Sequence, residues 1–334
     1  MIDISSKVLV KDLFLLKDLP RLPFIPWICT FAAKLEQLQV PDMLADPGFL
    51  STALLNAQEL LGHDAISVVF DPSLEAEVCG CEIAWPDAGD ALPQVVSHPF
   101  PGGNWIEKLD ISGLEKQGRL PVYFETFKRI NILRGKQIAL LGMVTGPVTL
   151  ARHLYGENLA ADLQQGKAEA VKAVAAAGSI GLKICRTYCE LGADVVVIND
   201  GMLGSLDAAN LSSAVPSLKS IWNVLRFYNA RSLLLATGCP PENIRPVISL
   251  QPDGVSLGSG IENKVLQQEL AGRKICGGFS IPAAVLEKPA EAVTYTDIPL
   301  TGNRRGWFIT TDGEIPYTTS VETIQEIAGL ISSN

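Results

Sequence analysis

The chain predicts a single (β/α)8 TIM barrel, and three observations carry that expectation. Short apolar runs alternate with helical stretches almost from end to end, the order that parallel strands with crossover helices require. The 334 residues suit one large α/β barrel. No Gly-x-Gly-x-x-Gly follows the first strand and no Gly-Lys-Ser/Thr occurs anywhere, which weakens the competing doubly wound sheet.

Taken in order, strands are expected over Phe24–Cys29, Ala65–Asp71, Ile138–Val144, Ala193–Asp200, Ser232–Gly238, Gly254–Leu257, Lys274–Phe279 and Gly306–Thr311. Each is a near-continuous apolar run, as a strand buried on both faces must be. Between them, helices are expected over Pro47–Leu61, Ala161–Leu191, Asp207–Tyr228, Ile261–Ala271 and Val321–Ile331. One segment, Pro72–Asp110, breaks the alternation. It holds Cys79-Gly80-Cys81 and Trp85, then a Pro/Gly/Asp-rich stretch reaching His98. That is too long for a simple βα turn, so a small hairpin capping the barrel mouth is expected, where long loops shape substrate pockets. With no internal repeat and no linker, one domain over residues 1–334 with a capping insertion at about 72–110 is the expected organisation.

Apolar residues make up 47% and charged residues 19%, which implies a large buried core. The net charge of −9 argues against nucleic-acid binding, which needs basic surface, and against adhesion to anionic membranes. No apolar stretch reaches the length of a membrane span, and the first residues lack the basic region and apolar run of a signal peptide. Seven scattered cysteines, an odd number, speak against a disulfide framework and for a reducing, cytoplasmic setting.

Catalytic groups of such a barrel project from the C-terminal ends of its strands. Here those ends carry Thr30, Asp71, Thr145, Asn199 with Asp200, Thr237 with Cys239, Ser256, Ser280, and Asp312 with Glu314. Acids converging on one mouth repel each other and raise at least one pKa, which suits proton transfer or a cationic or metal-bound ligand. The competing reading of each acid is a cap on the next helix. At Val144-Thr145-Gly146-Pro147 a strand turns straight into a helix, with proline pre-set for the first turn. That helix N-terminus would face the mouth and favour an anionic group. Cys79 and Cys81 lack the second pair of a zinc ribbon, and Cys185 and Cys189 share a helix face, which reads as core packing. His63 and His153 read as surface or packing residues, leaving His98, in the mouth loop, as the histidine suited to catalysis.

Several pieces together resemble a known family. They are Arg21–Pro26, Phe31–Leu35, Phe70-Asp71, Glu75–Gly80, Gly142–Leu150, Gly192–Asp200 and Gly306–Pro316, in order and along the whole chain. The sequence is similar to the uroporphyrinogen decarboxylase superfamily, and within it to the corrinoid-dependent branch of methylcobamide:coenzyme M methyltransferases. The resemblance implies a (β/α)8 barrel that moves a methyl group between a methylated corrinoid protein and a small-molecule ether, amine or thiol. The corrinoid would sit on the partner protein. Asp71, Asp200, Asp312 and Glu314 would then be the catalytic acids, with Thr30, Phe31, Thr145, Asn199 and Ser280 at the substrate.

Thiol-acting members of that branch are similar in a zinc site of His-x-Cys after strand five and Cys after strand eight, where zinc keeps the substrate sulfur a thiolate. In this chain the first slot falls on Thr237-Gly238-Cys239, or one residue earlier on Ala236-Thr237-Gly238, and the second on Asp312-Gly313-Glu314-Ile315-Pro316. Only Cys239 survives as a thiol, with Asp312 or Glu314 as candidate oxygen ligands. Aryl-ether demethylating members resemble one another in a Glu, Glu, His set instead; Glu77 and His98 match two slots, but the first falls on Gly62, with Glu75 or Asp71 as substitutes. The decarboxylase pattern of arginines after strand one is missing, since Trp27 to Lys34 contains none and a lysine cannot replace a guanidinium fork. Its late Gly-His-Gly reads Thr311-Asp312-Gly313, although its aspartate is present as Asp71. Two alternatives stay open: a decarboxylase-like lyase using Asp71, and a non-catalytic corrinoid- or folate-binding homologue.

Overall fold

The computed structural model describes residues 4–68, 70–103, 109–298 and 302–333. Among them nine strands form: β1 Ala65–Val68, β2 Ile83–Ala84, β3 Gln94–Val95, β4 Ala139–Thr145, β5 Val195–Asn199, β6 Arg231–Leu235, β7 Gly254–Ser256, β8 Cys276–Ile281 and β9 Trp307–Thr311. Seven of them pair in parallel in the order β1-β4-β5-β6-β7-β8-β9.

The eighth stave is irregular. The expected strand Phe24–Cys29 appears as two bridges to the β9 side, Phe24 to Ile309 and Trp27 to Glu314. The Ile25 N–H donates to the Ile309 carbonyl at 2.8 Å, and the Asp64 N–H, just before β1, donates to the Phe24 carbonyl at 2.8 Å. Residues 24–27 therefore lie between β9 and β1 and close the barrel. Pro23 and Pro26 have no N–H to donate, so a continuous ladder cannot form there.

Inside the barrel, alternate strand residues meet: Ala139, Leu141 and Met143 of β4, Val195 and Val197 of β5, Leu233 and Leu235 of β6, with Trp27 and Phe308. The residues between them, such as Leu140, Val196, Ile198 and Leu234, pack outward against the helices. Both faces are buried, which is why the strands read as unbroken apolar runs. A helix at Ser6–Phe14, capped by the Ser5 hydroxyl, sends Leu9, Val10, Leu13 and Phe14 into the same interior cluster. Its Phe14 ring lies against Gly254 at the start of β7, so it plugs the N-terminal end of the barrel.

The helix at Pro47–Leu61 ends at Gly62, whose φ of 63° is the left-handed stop. The expected helix Ala161–Leu191 is instead two, Leu159–Gln164 and Ala168–Glu190, separated at Gly166 with φ +67°. Asp207–Tyr228 likewise divides into Ala208–Leu211 and Val215–Phe227, because Pro216 cannot donate back to a preceding turn. Ile261–Ala271 shortens to Asn263–Leu270, and the last helix runs Val321–Ser332 from a Ser320 cap. The strand expected over Ala65–Asp71 shortens to β1, and its Val69 lies outside the described residues. Within 72–110, a helix at Leu74–Val78 leads to an antiparallel hairpin of β2 and β3. No described helix is long and apolar enough to cross a membrane.

Candidate active site at the barrel mouth

Just after β1, Asp71 is 5% exposed. Its Oδ1 accepts from the Ser73 N–H at 3.0 Å and the Ser73 hydroxyl at 2.7 Å. Its Oδ2 accepts from Arg119 Nη1 at 2.6 Å and from the Tyr123 hydroxyl at 3.2 Å. The same guanidinium donates from Nε to Glu77 Oε2 at 2.7 Å, and the Trp85 ring of the hairpin covers it at 5.2 Å. One cation thus bridges two carboxylates in a largely dry setting, where removing it would leave two uncompensated charges. Arg119 was not expected from the sequence: it immediately precedes the helix Leu120–Arg134, so inspection of strand ends passes over it.

Two further carboxyls lie close enough for the Asp71 charge to act on them. Glu75, 1% exposed, accepts from the Thr145 N–H at 3.0 Å and the Thr145 hydroxyl at 2.5 Å. Burial pushes it up to about 7, and Asp71 adds to the rise. Glu314 accepts from the Thr30 N–H at 2.9 Å and the Thr30 hydroxyl at 2.8 Å. Burial and then Asp71 carry it up to about 7 as well. Cys29 is raised well above its ordinary range by burial and then by Glu314 and Asp71, which places that thiol in the same cluster. Thr30 and Thr145, expected at the substrate, therefore hold Glu314 and Glu75. Phe31 is fully buried in the core.

Asp200, at the end of β5, is fully buried and sits elsewhere on the rim. It accepts from the Val148 N–H at 3.0 Å, the Thr149 N–H at 2.9 Å and the Thr149 hydroxyl at 2.7 Å. The anion at the N-terminus of helix Pro147–Tyr155 is thus the protein's own aspartate. A Cβ at Gly146 would fall 2.2 Å from the Asp200 Cβ, so only glycine fits that turn. Burial pushes Asp200 up to about 6 against these donors. Asp312 accepts from the Ser259 hydroxyl at 2.5 Å, and Ser280 shares a 3.2 Å hydrogen bond with Ser256. Asn199, the last residue of β5, takes the Gly146 N–H on its carbonyl at 2.8 Å.

The metal candidates do not converge. Glu77 is held by Arg119. His98 lies with Nδ1 2.8 Å from the His153 carbonyl and Nε2 4.0 Å from Glu157. Cys239 is buried beside Gly204, its Sγ 3.5 Å from the Pro240 carbonyl, and burial then Glu242 push the thiol up to about 11. Among the described residues, no three His, Cys, Asp or Glu side chains are grouped to hold a metal ion. Neither Cys239 with Asp312 and Glu314 nor Glu77 with His98 forms such a group among the described residues. Around Asp71 the carboxyls instead form a cluster in which burial raises Glu75 and Glu314 to about 7.

Residues 9–332 match the family model described as uroporphyrinogen decarboxylase (URO-D). Over 273 residues the chain is 24% identical to the methylcobamide:CoM methyltransferase MtbA of Methanosarcina acetivorans, covering 78% of this chain and 79% of that one. It is 26% identical over 184 residues to the MtbA of Methanosarcina mazei, covering 53% of each. In three dimensions it is similar to a methyltransferase from Methanosarcina mazei, with a TM-score of 0.87 at 18% identity and 99% of each chain covered, a likeness of fold.

Proposed function

The chain belongs to the uroporphyrinogen decarboxylase family, and from that premise we propose that it is a methyltransferase rather than a decarboxylase. It would pass a methyl group between a corrinoid-bearing partner protein and a small ether, amine or thiol. The observation that carries this reading is the charge balance at the mouth. Asp71, Glu75, Glu77 and Glu314 gather there, and the Arg119 guanidinium is already shared between Asp71 and Glu77. A decarboxylase of this family must hold a substrate bearing many carboxylates. The stretch that would supply its arginines instead buries Phe31, Ala32 and Ala33, and Lys34 donates to the Thr319 carbonyl at 2.6 Å. A polyanion entering this mouth would find the Arg119 guanidinium already shared between two carboxylates. The relatives named as methyltransferases support the same direction.

In the proposed reaction Arg119 fixes Asp71 and Glu77, and burial, with Asp71 adding to it, keeps Glu314 protonated to higher pH. Glu314 gives its proton to a departing oxygen or nitrogen, or takes one from a thiol, as the methyl group moves. The partner's corrinoid would supply the cobalt that accepts or delivers that methyl group. Asp200 acts as a helix cap that shapes the rim.

The test is a spectroscopic screen with cob(I)alamin and methylated ethers, amines and thiols, beside an incubation with uroporphyrinogen. Formation of methylcobalamin with at least one donor is expected, with no loss of carboxylate from uroporphyrinogen. Decarboxylation without methyl transfer would overturn the reading.

A further inference from the structure

The opposite end of the barrel holds a cavity of about 920 Å³, far from the acidic mouth. Its walls are the starts of strands: Arg231 opens β6, Trp307 opens β9, and Lys274 stands just before β8. We propose that this cavity is a second binding site, for a small organic anion with a flat apolar part.

Charge supports the anion. In a chain of net charge −9, this lining gathers Arg231, Arg273, Lys274 and Arg305 against one acid, Asp253. Arg231 is paired to that acid at 3.3 Å. Arg273 uses its Nε on the Glu269 carbonyl at 2.8 Å and its charge also acts on the Glu269 carboxylate, though the two form no ion pair among the described residues. Lys274 and Arg305 are exposed and enter no ion pair among the described residues. Lys274 and Arg305, with Arg273 beside them, leave a concave, partly apolar surface with excess positive charge among the described residues, which favours an anion.

Shape supports the flat apolar part. Phe14, Leu15, Leu270, Ile275 and Trp307 also line the cavity, and Leu15 is an exposed apolar side chain. The Trp307 ring, which borders the cavity, is held in place by stacking on Phe279 at 4.5 Å and 1°. The volume falls within the range of about 300–1,000 Å³ typical of small-molecule sites, so an enclosed ligand suits it better than a nucleic-acid strand.

Anilinonaphthalene sulfonate, a flat aromatic anion, is the probe. It is titrated by fluorescence into the whole chain, into a Lys274→Glu/Arg305→Glu variant, and into a Lys128→Glu control on the exposed helix surface. Saturable binding is expected, weakened about tenfold or more by the double reversal and by high salt, and unaffected at Lys128. ADP, a nucleotide anion of the same class, is expected to displace the dye. If the reversal unfolds the chain, Lys274→Gln with Arg305→Gln replaces it, scored only when its melting matches the parent. Equal dye affinity in parent and variant, or an equal loss in the Lys128→Glu control, would overturn the site.

Discussion

Asp71 and Asp200 occupy equivalent places, each just past the end of a parallel strand, yet the fold uses them in opposite ways. Asp200 receives two backbone N–H groups and a hydroxyl from the first turn of a neighbouring helix. Its lone pairs are taken by local backbone, and its burial is complete. Asp71 takes one backbone N–H, from Ser73, but its other donors are the side chains of Arg119, Tyr123 and Ser73, and its charge reaches Glu75 and Glu314. A strand-end position brings an acid to the mouth; the donors around it decide whether it caps a helix or tunes its neighbours.

That contrast is most exposed at Arg119. Replacing it by Met leaves Asp71 and Glu77 without their cation, and a loss of about 3–5 kcal/mol in urea unfolding is expected. Unchanged stability would mean the bridge is not the organising element on the Asp71 side.

Glu75 gives a pH signature next in size. Its pKa rises from the usual 4.5 to about 7 in the fold, so between those values the folded chain holds a proton that the unfolded chain has lost. Its contribution is complete below 4.5 and lost as pH climbs through about 7, on the order of 3 kcal/mol across that window. Glu75→Gln should flatten that slope in denaturation curves taken at several pH values. An identical slope would remove Glu75 from the cluster.

On the other side, Asp200→Ala should cost about 1–2 kcal/mol, the scale of a lost helix cap, while leaving activity per folded molecule intact. Lost activity with full stability would break the comparison outright. The smallest effect is expected at Cys239. Its protonated thiol should react slowly with iodoacetamide at neutral pH, and Cys239→Ser should change stability by about 1 kcal/mol or less.

The barrel was legible because strands buried on both faces leave long apolar runs, as at Leu140–Val144 and Val195–Ile198. The eighth stave was legible as an apolar run but not as an irregular one, although Pro23 and Pro26 carried that signal. The plug helix passed unread despite Leu9, Val10, Leu13 and Phe14 at helical spacing behind a Ser5 cap. At the mouth, the acids were readable from strand ends, and capping was already the competing reading of Asp200. Arg119 was not readable, since its partners lie 42 and 48 residues away and only the closed barrel brings them together. Glu77 and His98 kept a suggestive spacing in sequence, yet each found a different partner in the fold.

The most direct measurement follows cob(I)alamin turning to methylcobalamin in parallel samples of the parent chain, Asp71→Asn and Asp200→Asn. Methyl transfer by the parent, a loss of about a hundredfold or more for Asp71→Asn, and near-parent rates for Asp200→Asn are the expected results. Transfer by none of the three, or equal rates for both variants, would contradict a methyltransferase centred on Asp71.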